Sequence, residues 1–274
     1  MKASKAFRSG FFGKKSLVLS CAVVLSAALL LTGCGDSASE KKAAADASSA
    51  PKVLRVGTNA TYVPFEFIEE SNGNKSYSGF DMDLAREVGK RLGMEVEIKN
   101  IPFDGLIPAM LSGELDMIAS GMVITPEREE KLAFIPYYDS GLGILVAQNI
   151  DDVKTADDLK GKRVAVQMGT TGSVAAHKID GIASIREFDH NSEALLELKQ
   201  GGADAVLTSL PVAKYYLKTT SDSNAKLVPQ PITKQTMGLG FAKDDKELYE
   251  KVQKIVADIK ADGTYAALEK KWID

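Results

Sequence analysis

Arg128 closes the segment Ser120-Gly121-Met122-Val123-Ile124-Thr125-Pro126-Glu127-Arg128, a few residues past a short apolar strand. That placement suits a clamp for an anion. A guanidinium is permanently charged and presents a rigid fork of donors, so it holds a carboxylate by two parallel hydrogen bonds where lysine offers a point charge. The Ser-Gly pair leaves backbone N–H groups uncovered, and Pro126 is placed to open a short helix whose first turn contains Arg128. The competing reading is a surface arginine paired with Glu129 or Glu130. A second anion site is suggested by Val164-Ala165-Val166-Gln167-Met168-Gly169-Thr170-Thr171-Gly172-Ser173, which runs from strand through a glycine loop into a helix. It lacks the Lys-Ser/Thr of a nucleotide P-loop. Tyr62 and Phe103 follow strand ends and are positioned either to flank a small molecule or to fill the core, and Asn59 adds an amide. No nucleophile–base pair is visible. His177 and His190, the sole histidines, have no metal-like spacing and read as solvated or capping residues, so neither metal nor cofactor is expected.

These groups need a scaffold. Short β-branched runs at 53–57, 96–101, 117–119, 143–147, 164–166, 185–188, 205–207 and 238–241 alternate with helical patterns, the grammar of an α/β protein. In the helix predicted over 81–92, Leu84, Val88 and Leu92 continue a face begun by Phe80, with aspartates in the first turn and Lys90-Arg91 in the last. Leu248, Val252, Ile255, Val256 and Ile259 mark a second helix, and Tyr265, Leu268 and Trp272 a third. One pattern occurs twice: a helix, Gly-x-x-Asp, a strand and a polar strand end. It covers 106–121, ending in Ser120-Gly121, and 194–209, ending in Thr208-Ser209. Two lobes built alike would bring those polar ends to a shared cleft, the usual ligand position in open α/β sheets. A single doubly wound domain is the alternative.

The N-terminal residues point to export. Lys2, Lys5, Arg8, Lys14 and Lys15 precede an apolar run over 17–31, shorter than the ~20 residues of a spanning helix, which fits a cleaved signal. Leu31-Thr32-Gly33-Cys34 resembles a bacterial lipobox, in which Cys34 becomes the acylated first residue, tethered to a membrane without crossing it. Residues 34–51 then form a flexible spacer rich in Ala and Ser. Loss of residues 1–33 removes five positive and no negative side chains, taking the formal charge from −3 to −8. An acidic protein without a basic patch is a poor nucleic-acid binder. The other cysteine, Cys21, lies within the signal, so no internal disulfide is expected in the mature chain.

From residue 52 to 274 the chain resembles the family 3 extracellular solute-binding proteins that deliver polar amino acids to ABC importers. The resemblance is carried by 57–67, Ser78-Gly79-Phe80-Asp81-Met82-Asp83-Leu84, Phe103-Asp104-Gly105-Leu106-Ile107-Pro108-Ala109, 120–128, Pro136-Tyr137-Tyr138, 169–173, Gly263-Thr264-Tyr265 and Lys270-Lys271-Trp272. It implies a two-lobed, type II periplasmic-binding-protein-like fold with two hinge strands, near 138–143 and 234–238. Lobe one would comprise 52–141 and 238–274, and lobe two 142–237. It further implies that Arg128, the Thr170-Thr171 turn, Ser120 and Gly121 hold a ligand α-carboxylate, with Met122 and Val123 alongside. Tyr62 and Phe103 would flank the ligand side chain and Asn59 would face its tip. Amino-acid binders of this family commonly carry an aspartate for the α-ammonium where this chain has Ser209. Either Glu66 or Asp104 replaces it, or the ligand is not an ordinary α-amino acid.

The expectation is therefore a monomeric, exported and lipid-anchored binding protein that faces the outside or the periplasm, captures an amino acid or related small carboxylate and presents it to an ABC permease. The alternatives are a dehydratase-like enzyme on the same scaffold, and a lipoprotein sensor or adhesin with an altered pocket.

Overall fold

The computed structural model describes residues 52–71 and 73–274. The expected signal, spacer and Cys34 lie outside these described residues.

The strands are β1 (Val53–Thr58), β2 (Thr61–Tyr62), β3 (Glu66–Ser71), β4 (Asn74–Ser78), β5 (Glu95–Asn100), β6 (Met117–Ile118), β7 (Leu132–Ala147), β8 (Arg163–Gln167), β9 (Ser184–Phe188), β10 (Ala205–Ser209), β11 (Ala225–Leu227) and β12 (Thr233–Ala242). The α-helices are α1 (Phe80–Leu92), α2 (Leu106–Leu111), α3 (Pro126–Glu129), α4 (Thr171–Lys178), α5 (Asn191–Lys199), α6 (Leu210–Thr219), α7 (Lys246–Ala261) and α8 (Thr264–Trp272). A 9-stranded sheet runs β5-β1-β6-β12-β7-β10-β8-β9, with β11 also on β7, and β2-β3-β4 form a separate 3-stranded sheet. β1 is parallel to β5 and β6, and β8 is parallel to β9 and β10. Two parallel groups, each fed by its own helices, are thus joined through the antiparallel pair β7 and β12.

At 16 residues, β7 spans about 50 Å and serves both groups. Its first half pairs only with β12, and its second half also pairs with β10 and β11. Sequence patterning marks only its second half, because Pro136 and Asp139-Ser140-Gly141 look like breakers. The strand survives them through a register shift at Met237/Gly238: Met237 faces Tyr138 and Gly238 faces Pro136, leaving Tyr137 as the extra residue of a bulge. A bulge suits Pro136, which has no N–H to give to a ladder.

Burial explains the helices. Phe80, Leu84 and Val88 of α1 and Val252, Val256 and Ile259 of α7 are buried on the sheet, each such side chain contributing ~1.5–3 kcal/mol. The repeated Gly-x-x-Asp acquires a physical role. Asp116 accepts from the Arg55 N–H at 2.7 Å and from Arg55 Nη2 at 2.6 Å. Asp204 does the same for Arg163, at 2.8 and 2.7 Å. In each half a bidentate pair pins the start of a central strand.

Candidate functional site

The cleft residues come from strand ends, where side chains leave the sheet without a neighbouring strand to cover them. Asn59 follows β1, Ser120 and Gly121 follow β6, Gln167 ends β8, and Thr170 precedes α4. Together with Tyr62, Glu66, Phe103, Val123, Arg128 and Thr171 they line one enclosed cavity of about 20 Å³. Larger grooves of about 810 and 870 Å³ flank the joining strands, but neither is lined by a buried polar or charged side chain.

Arg128 sits where α3 presents it. Thr125 caps that helix by accepting from the Arg128 N–H, and Pro126 occupies its first turn, as the sequence predicts. The surface-arginine alternative does not hold, since Arg128 is only 9% exposed. Its Nη1 donates to the Val123 carbonyl at 2.5 Å and its Nη2 to the Gly169 carbonyl at 2.9 Å, across the cleft. The guanidinium lies over the Phe103 ring, 5.3 Å from its centroid. Among the described residues no carboxylate comes within 4.0 Å of it. Burial without a counter-ion lowers its pKa to about 10.

Hydrogen bonds cross the cleft at three further points. Gln167 Nε2 donates to Asn59 Oδ1 at 2.9 Å, Asn59 Nδ2 lies 3.3 Å from His190 Nδ1, and the Ser209 N–H donates to the Tyr62 hydroxyl at 3.2 Å. Asn59 is 2% exposed and Gln167 4%, so these amides face each other out of water. About 20 Å³ holds little more than one water molecule. Any organic ligand must therefore take over some of these cross-cleft contacts.

One wall carries two buried acids. Glu66 Oε1 accepts from Ser120 Oγ at 3.2 Å, and Ser120 Oγ accepts from the Asn59 N–H at 2.9 Å. Behind Glu66, Asp81 Oδ2 accepts from the Gly121 N–H and from the Tyr137 hydroxyl, both at 2.7 Å. Burial, and then Asp81 beside it, hold the Glu66 carboxyl well above the usual range. Burial also raises Asp81, to about 6, although the Gly121 N–H and the Tyr137 hydroxyl favour its charged form. Gly79 makes this arrangement possible. At φ 122 its backbone passes so close to Phe65 that an added Cβ would stand 2.2 Å from the Phe65 carbonyl oxygen. Gly121, at φ 53, likewise lets the Tyr62 ring approach, where a Cβ would meet it at 3.0 Å.

Asn59, Tyr62, Phe103, Ser120, Gly121, Arg128, Thr170 and Thr171 are thus brought together. Two expected residues are not. Met122 is fully buried in the apolar cluster with Leu106, Leu132 and Phe134, because neighbours on an extended segment face opposite ways and Val123 takes the cavity side. Ser209 is 2% exposed but does not line the cavity, and its Oγ has no hydrogen-bond partner. Of the two acids that could replace the missing aspartate, Asp104 is exposed, whereas Glu66 is inside. Gln167 also lines the cavity, and its place at a strand end is the one sequence signal for it. His190 caps α5, and among the described residues no cluster of metal-ligating side chains exists.

A two-lobed α/β fold with a charged, enclosed cleft between parallel-sheet ends defines a binding protein of the periplasmic type. The chain belongs to the bacterial extracellular solute-binding proteins, family 3, whose pattern matches residues 54–274. It is 31% identical over 261 residues to the arginine-binding extracellular protein ArtP of Bacillus subtilis (strain 168), covering 94% of this chain and 98% of that one. It is 35% identical over 259 residues to the probable histidine-binding protein of Campylobacter jejuni, covering 93% and 97%. Among solved structures, the ancestral amino acid-binding protein AncCDT-1, a precursor of cyclohexadienyl dehydratase, superimposes with a TM-score of 0.75 at 42% identity, covering 81% of this chain and 96% of that one.

Proposed function

We propose that this protein is the substrate-binding component of an amino-acid ABC importer, and that it captures its ligand by closing two lobes on it. The observation that carries this reading is the buried Arg128, which lines the cavity with only carbonyl partners. A buried cation without a counter-ion costs several kcal/mol, and a ligand carboxylate removes that cost. The Thr171 N–H, at the start of α4, would share the carboxylate. Tyr62 and Phe103 would flank the ligand side chain, and Asn59 with Gln167 would meet its polar tip. We place the lobe boundaries at 141/142 and 237/238, within β7 and β12, so that closure is a bend of two strands. Relatives named for arginine and histidine binding support the amino-acid class. Ligand contacts made in only one state then drive closure.

The test is isothermal calorimetry with L-arginine, L-histidine, L-cystine and L-glutamine. At least one is expected to bind, and Arg128→Ala to weaken it by at least ~2 kcal/mol, as truncating one partner of a buried charge pair does. Unchanged affinity in that variant would remove Arg128 from the site, and no binding by any amino acid would favour a sensor or adhesin. We also propose that the protein is exported, acts as a monomer and is held by acyl chains on Cys34 while it delivers ligand to a membrane permease. Cys34→Ala is expected to move it from the membrane to the soluble fraction. A dehydratase is the second reading, favoured by the raised carboxyl of Glu66 in the cavity and by the likeness to AncCDT-1. Product formation from prephenate or arogenate would establish it, with Glu66 as general acid.

A further inference from the structure

We infer that Glu66 receives the ligand's α-ammonium, making the cavity a receptor for a zwitterion. This rests on the cavity being an amino-acid site, and the residues facing it supply the argument. Of the side chains that line it, one is a cation, Arg128, one is an acid, Glu66, and the rest are neutral. Glu66 is 1% exposed, and among the described residues no lysine, arginine or histidine lies within 4.0 Å of it or of Asp81. A buried cation without an anion and a buried acid without a cation thus border the same small space. An α-amino acid carries both missing partners two bonds apart.

The hydrogen bonds around Glu66 leave room for such a donor. Oε1 accepts only from Ser120 Oγ, so a second lone pair is free. Glu66 and Asp81 are both buried and act on each other's charge, and Glu66 Oε2 and Asp81 Oδ1 have no hydrogen-bond partner. One proton shared by the pair leaves it with a single negative charge. The other titratable groups turned towards the pair are tyrosines: Tyr62 on β2, Tyr137 on the bulge of β7, and Tyr265 on α8, whose hydroxyl donates to the Tyr137 carbonyl at 2.6 Å. None of them supplies a positive charge. An ammonium set against Oε1 favours the doubly ionised pair, so the shared O–H bond breaks and its proton passes to the buffer. Binding is then coupled to release of at most one proton per ligand.

Calorimetry on the whole chain near neutral pH, in phosphate and in Tris, counts released protons from the difference in apparent heat and needs no variant. The probes are those of L-arginine, L-histidine, L-cystine and L-glutamine that bind, and the analogue of each with hydrogen in place of the α-amino group. The expected result is proton release on binding the amino acid and none on binding its analogue. Glu66→Gln, which keeps the side-chain shape, should lower affinity for the amino acid at least about tenfold and leave the analogue within about twofold. It should also abolish proton release. No release from the unaltered protein, full affinity in Glu66→Gln, or equal losses for amino acid and analogue would each overturn the assignment. Arg128→Met separates this from failure of the parent reading. A site that needs Arg128 but ignores Glu66 refutes only the ammonium contact. A protein that binds none of the four amino acids, or binds them equally without Arg128, refutes both.

Discussion

Arg128→Met should separate binding from stability. Burial lowers the guanidinium pKa from its usual range to about 10, which corresponds to a penalty of about 3 kcal/mol on the charged form. The lowered value still lies above neutral pH, so the penalty is fully present there. Against it stand two charge-assisted hydrogen bonds, to the Val123 and Gly169 carbonyls, contributing ~1.5–3 kcal/mol each. Methionine removes the penalty and those bonds together, and its unbranched side chain can still pack on Phe103. The ligand-free protein is therefore expected to keep its stability to within about 1–2 kcal/mol in urea denaturation. Binding should not survive so well. An amino acid present at a hundred times its dissociation constant stabilises the unaltered protein by about 2.7 kcal/mol. A 2 kcal/mol loss of affinity, about thirtyfold, leaves only about 0.9 kcal/mol at the same concentration. A loss of about 3–5 kcal/mol in the ligand-free protein, with ligand stabilisation intact, would mean that Arg128 is a structural partner, and the argument from an uncompensated charge would be wrong.

Gly121→Ala places a Cβ 3.0 Å from the Tyr62 ring at a backbone φ of 53. It should cost ~1–2 kcal/mol of stability through strain and weaken amino-acid binding by displacing Tyr62, both readable from denaturation with and without ligand. Tyr62→Phe removes the acceptor for the Ser209 N–H across the cleft, and a loss of ~0.5–1.5 kcal/mol in affinity is expected by calorimetry. Stability should also carry the signature of the buried acids. Glu66 and Asp81 both have folded-state values raised above the unfolded ones, so the folded protein binds more protons. Their favourable contribution is complete below the unfolded carboxylate values and is lost as pH rises through about 6, the value of Asp81, towards that of Glu66. The difference in urea midpoint between the unaltered protein and Glu66→Gln should shift against the unaltered protein between about pH 5 and about pH 7. Asp262, lowered to about 2 by the Thr264 hydroxyl and N–H and by Arg91, works in the opposite sense, but it is common to both proteins and cancels.

The legible parts of the chain were those whose signal is local. Apolar periodicity over 80–92 gave α1, and Pro126 gave the start of α3 and with it the position of Arg128. The hairpin of β3 and β4 carries no strand signal in the sequence, because most of its residues are exposed and no alternation of polar and apolar survives. The first half of β7 was hidden by breaker residues that a bulge accommodates, a matter settled by a partner about a hundred residues away. Within the site, residue types pointed to the cluster but not to its interior. Met122 and Val123 are equally apolar in sequence, and only the direction of the extended segment decides which one meets the cavity. Gln167 and Asn59 lie 108 positions apart, so their pairing depends on the whole fold.

The place of β12 in the sheet has a consequence for how the molecule is assembled. Its partners β6 and β7 are synthesised long before it, and α7 and α8 come later still. β6 is only two residues long and borders β1 on one side, so until residue 233 emerges its other side is an unpaired edge. The group of β8, β9 and β10 can zip against the far half of β7 earlier, from shorter loops. A chain truncated before β12 is therefore expected to leave β6 with one open edge while the pairing of β7, β10, β8 and β9 is already complete, which limited proteolysis of the N-terminal third would report.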